Sequence, residues 1–113
     1  MHPALVRPAG LATLAVLLGA LGSAPARAGI AEGRQKAQLC ATCHGPLGRA
    51  AMPNTPHLAA QPAQYVSDQL KAYRSGKRNH EIMTLIAKPL TDAEIADLAA
   101  WYESLQIEVQ PVP

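Results

Sequence analysis

Cys40-Ala41-Thr42-Cys43-His44 constrains this chain more than any other segment. Two thiols three positions apart, followed at once by an imidazole, form the C-x-x-C-H pattern that attaches haem covalently. The spacing has a chemical reason. The thiols can form thioethers with the two vinyl groups on adjacent pyrroles. The imidazole is then carried beneath the porphyrin, where its Nε2 can bind iron. A group held this way cannot dissociate, which suits work outside the cytoplasm. Both of the chain's cysteines lie in the motif, so no disulfide framework is available. The competing reading is a thiol–disulfide exchange site, which places C-x-x-C at a helix N-terminus after a strand. No alternating β-branched run precedes Cys40, and His44 has no part in that chemistry.

The N-terminus points to the same compartment. Arg7 precedes an apolar run, Leu11 to Leu21, which gives way to small residues and Ala26-Arg27-Ala28. That is the order of a secretory signal peptide, so residues 1–28 are expected to be a leader cut after Ala28, with Ala26 as the alternative position. The apolar run is about half of the roughly 20 residues that span a bilayer, and no transmembrane segment is expected once it is removed. The remainder reads as one domain over residues 29–106 with a short tail, 107–113. A domain this small usually needs a staple, and a covalent cofactor can act as one. Losing Arg7 and Arg27 with the leader lowers the ten basic residues to eight, equal to the eight acidic ones, so the net charge falls from +2 to zero. Nucleic-acid binding has no support from that balance.

No segment reads as a strand, and the class expected is all-α, with three main helices around one haem. Ile30 to Leu39 is rich in helix formers and runs into the motif, with Gly33, Ala37 and Cys40 on one side. Gly45 to Pro62 is full of Gly and Pro and reads as a long loop, which is unusual unless it covers something such as a haem face. Val66, Leu70 and Tyr73 mark a second helix, opened near Pro62 and stopped by Gly76. Lys77 to Leu90 is expected to be irregular. Thr91-Asp92-Ala93-Glu94 has the form of a capping box. The helix it opens carries Ile95, Leu98, Ala99, Tyr102 and Leu105 on one face.

Haem iron has two axial positions, and His44 takes one. Met52, Met83, His57, His80 and Lys88 are candidates for the other. Met83 has the best position, between the second helix and the last, from which it can cross to the opposite haem face. A thioether ligand favours ferrous iron and raises the potential relative to two imidazoles. His57 and His80 read as surface or loop-anchoring residues, and Met52 lies in a loop close to the motif.

Taken together, these residues resemble the class I cytochromes c, above all the small soluble bacterial monohaem forms and one half of the periplasmic dihaem cytochromes c. The likeness runs from Ala31 to Leu105 and is carried by Gly33, the Cys40–Gly45 motif, Pro56-His57-Leu58-Ala59-Ala60-Gln61 and Tyr65. It continues through Gln69 to Arg78, Met83, and Leu90 to Tyr102. It implies the cytochrome c fold, with Gly33 letting the first helix cross closely over the last against Trp101. It also implies that the Pro56 carbonyl accepts from Nδ1 of His44, and that Arg78 faces a haem propionate. The chain departs from the dihaem relatives in having a single C-x-x-C-H, and Ala60 stands where they usually have Gly.

The resemblance implies a haem c protein with His44 and Met83 on iron, working in the periplasm by one-electron transfer. Iron with both axial positions filled leaves no place for substrate, so no enzymatic activity is expected of the chain itself. Its partners would be periplasmic or membrane-bound redox proteins, met as a free monomer or as the haem subunit of a dehydrogenase complex. A ligand-binding sensor or weak peroxidase would need a loose Met bond. Lys71, Arg74, Lys77 and Arg78, set against Asp92, Glu94, Asp97 and Glu103, could steer an acidic partner.

Overall fold

The structure, a computed structural model, describes residues 28–113, so all but the last residue of the expected leader lies outside it. It contains five helices and, among the described residues, no strand: α1 (Ile30–Lys36), α2 (Gln38–His44), α3 (Ala63–Ser75), α4 (Glu81–Ala87) and α5 (Asp92–Ser104). The class and the three expected helical regions are therefore present as α1/α2, α3 and α5. No helix among the described residues is long and apolar enough to cross a membrane.

The N-terminal helix is longer than its periodicity indicated, and it is broken once. Ala37 closes α1 and opens α2, its own N–H bonding Gly33 at 2.8 Å while its carbonyl accepts from Cys40 at 2.9 Å and Ala41 at 3.1 Å. The whole motif is thus helical, and it stops at Gly45, whose φ of +80° no β-carbon would favour. At Gly33, a β-carbon would run into the Asp97 carbonyl oxygen and lie 2.8 Å from Trp101 Cβ. Glycine is what permits α1 to cross α5 so closely. The same crossing is tied by Gly29 N–H, which donates to Asp97 Oδ1 at 2.7 Å, and by an ion pair between Lys36 and Glu94.

α5 is the central element, packed against α1 on one side and α3 on the other. Its capping box is complete: Glu94 N–H donates to Thr91 Oγ1 at 3.2 Å, and Thr91 N–H to Glu94 Oε2 at 2.9 Å. Ile95, Leu98, Ala99, Trp101 and Tyr102 are buried, and Ala37 between α1 and α2, Val66 and Tyr73 of α3, Ala87 of α4 and Leu90 just before α5 complete the core. Burying an aliphatic or aromatic side chain of this kind contributes about 1.5–3 kcal/mol, so α5 anchors the domain. The four carboxylates of α5 tie it to its neighbours. Asp92 accepts from Arg74 at 2.5 Å and Glu103 from Ala63 N–H at 2.8 Å, while Glu94 and Asp97 hold α1.

One expectation fails. The stretch Lys77–Leu90 is not irregular throughout, because it contains α4. Seven residues with β-branched Ile82, Thr84 and Ile86 carry little helical signal of their own. The helix is set by its ends: His80 caps the start, and Pro89 follows the finish.

Candidate functional site

Helix geometry gathers the motif. Residues three and four apart on a helix share a face, so α2 presents Cys40, Cys43 and His44 together on one side. Both thiols are unpaired and half-buried. Burial pushes the Cys40 thiol above its ordinary range, partly offset by a hydrogen bond with Tyr102. Tyr102 is itself raised, first by burial and then by the neighbouring Cys40. Both groups stay protonated at neutral pH.

His44 is buried, and its ring orientation is fixed. Nδ1 donates to the Pro56 carbonyl at 2.9 Å, which leaves Nε2 as the nitrogen with a free lone pair. A hydrogen bond of this kind sets the tautomer that a metal-binding imidazole requires. Pro56 reaches that place because the loop from Gly45 to Pro62 folds back on the end of α2. Ala51 N–H donates to the Cys43 carbonyl at 3.0 Å, and Leu58 and Ala59 both donate to Gly48, at 2.7 and 3.1 Å. His57 Nδ1 accepts from Ala50 N–H at 2.8 Å, and Ala60 N–H donates to the Tyr102 carbonyl at 2.9 Å. The loop is long, yet it is bound at many points.

Met83 is half-buried and packs against the core, whereas Met52 is 49% exposed on the loop. Of the other candidates, His57 is engaged with Ala50, His80 caps α4, and Lys88 is exposed at the end of that helix. Arg78 donates to Gln69 Oε1 at 2.6 Å and lies 4.6 Å above the Tyr73 ring. The capping role of His80 escaped the sequence reading, since imidazole is not among the usual cap side chains.

The residues fit a covalently held porphyrin better than a bare ion. Among the described residues no three His, Cys, Asp or Glu side chains converge to hold a metal. Two free thiols instead share a helix face with a buried, oriented imidazole. Trp101 Nε1 is buried with no hydrogen-bond partner, and the buried Tyr102 Oη has only the Cys40 thiol beside it. Buried polar atoms are normally paired, and an extended group carrying acceptors at its rim would suit these two.

Comparison with known proteins agrees. The family model described as cytochrome c matches residues 30–106. Cytochrome c4 of Pseudomonas aeruginosa is 37% identical over 99 residues, 88% of this chain and 49% of that protein. Cytochrome c-554(548) of Halomonas halodenitrificans is 43% identical over 77 residues, 66% of this chain and 93% of that one. A solved cytochrome c4 of Acidithiobacillus ferrooxidans superimposes with a TM-score of 0.66 at 35% identity, covering 74% of this chain and 53% of its own. The chain thus spans about half the length of the cytochrome c4 relatives it matches, and nearly all of the shorter one. An attachment motif on one helix face, an oriented imidazole and this shared fold lead to one conclusion: the chain belongs to the cytochrome c family, whose members bind haem and transfer electrons.

Proposed function

We propose that the chain is a periplasmic one-electron carrier, reached by cleavage of the leader after Ala28 and holding one haem c. Cys40 and Cys43 form the thioethers, and His44 and Met83 are the axial ligands. The bound haem supplies the Fe(III)/Fe(II) couple; the protein supplies ligands, burial and orientation. The observation that carries this reading is the 2.9 Å bond from His44 Nδ1 to the Pro56 carbonyl, which commits Nε2 to iron. Pro56 holds the imidazole in place, and the core contact of Met83 supports the opposite ligand. Arg78, steadied by Gln69 and Tyr73, supplies the positive charge that faces a propionate. The protein exchanges electrons with periplasmic or membrane-bound redox proteins.

The test is an optical spectrum of the mature holoprotein in both oxidation states, with a pyridine haemochrome assay for stoichiometry. One haem per chain and a Met–iron charge-transfer band in the oxidised form are expected, and the band should vanish in Met83→Ala. A band that survives Met83→Ala would refute the ligand assignment.

A further inference from the structure

Helix α4 carries Met83, yet it has only seven residues. Helices this short do not hold in water by themselves, so contacts at the ends decide whether this one persists. Its start is organised by His80. The ring Nδ1 accepts from the backbone N–H groups of Ile82 and Met83, each at 3.3 Å. The backbone N–H of His80 donates to Thr84 Oγ1 at 3.1 Å, and that hydroxyl donates to Asn79 Oδ1 at 3.3 Å. The ring also meets Tyr73 edge-on, with centroids 6.5 Å apart and planes at 74°. Two of the donors that every helix start leaves unpaired are therefore satisfied by one imidazole. One of them belongs to Met83 itself.

We infer that His80 is a positioning residue for Met83: its Nδ1 fixes the first turn of α4 and thereby the place from which the thioether reaches the cofactor. The inference rests on the proposed role of Met83. His80 is exposed and touches the backbone of α4, so it acts on how often the turn opens rather than on the core. An incoming ligand can take the iron position only when that turn gives way. Losing the cap therefore makes displacement of Met83 easier by about the factor one N-cap contributes.

The experiment uses oxidised holoprotein, titrated with imidazole while the Met–iron band is followed. His80→Ala should bind imidazole about fivefold more tightly than the unaltered protein. His80→Asn, whose side-chain oxygen caps equally well, should restore the original affinity. Unchanged far-ultraviolet circular dichroism, and a loss of global stability no larger than that same fivefold factor, would separate positioning from general damage. Wild-type imidazole affinity in His80→Ala overturns the inference. So does a His80→Asn variant as loose as His80→Ala, which would assign the effect to the ring on Tyr73. If Met83→Ala keeps its band, the ligand reading itself has failed and this inference falls with it.

Discussion

Ala60 occupies the left-handed region with φ of +59°, as does Asn54. Asparagine tolerates that conformation, whereas alanine adopts it only at an energetic cost. The strain is held by the bond from Ala60 N–H to the Tyr102 carbonyl, which joins the loop to α5. Ala60→Gly should therefore stabilise the protein, since left-handed strain of about 1–2 kcal/mol exceeds the 0.5–1 kcal/mol entropic cost of glycine. The expected net gain is about 0.5–1 kcal/mol, read as a higher denaturant midpoint at constant slope. A lower midpoint would mean that the methyl group packs usefully. The expectation that relatives carry Gly here has its physical reason in this dihedral angle. At Cys40, Cys43 and His44 the chemistry was legible from spacing alone, because one helix face enforces it. Pro56 was not, because its bond to His44 spans twelve residues of irregular loop; only the family resemblance pointed there.

The first turn of α5 combines three devices: a capping box, the Arg74–Asp92 pair and the Lys36–Glu94 pair. The hydrogen bond and charge of Arg74 hold Asp92 below its ordinary range, and Lys36, aided by the Thr91 backbone, does the same for Glu94. Because both folded-state values lie below the unfolded ones of about 3.9 and 4.3, the linked stability is complete above that range. It is lost as pH falls through the folded values. Thermal midpoints should decline below about pH 4, and the Asp92→Asn, Glu94→Gln double variant should show a shallower acid decline. An identical acid decline in that variant would assign acid sensitivity elsewhere. Both carboxylates face solvent, so the effect is modest. This helix was readable from Thr91 to Glu94 and its apolar face. Helix α4 was not, since an unusual histidine cap at its start, rather than composition or periodicity, organises it. The irregular reading of Lys77–Leu90 failed for that reason.

Over the molecule as a whole, the first and last helices meet at Gly33 and Asp97, and everything else is arranged around that crossing. The acidic side of the charges that looked like a steering dipole is engaged within the fold, with Arg74, Lys36, Gly29 and Ala63. One of those contacts would change character if the proposed leader is cut after Ala28. In the uncut chain Gly29 offers Asp97 a neutral amide. Cutting after Ala28 turns the same nitrogen into a terminal ammonium, set beside Asp97 with Glu32 also close by. Proteolysis would thus install a full positive charge where the two helices join. Protein beginning at Gly29 should be more stable than protein retaining upstream residues by about 0.5–1 kcal/mol. Asp97→Asn should abolish that difference in denaturant unfolding, and equal stability of the two forms would exclude the effect. The leader's removal would then be more than an export step: it would fasten the chain's new beginning to its last helix.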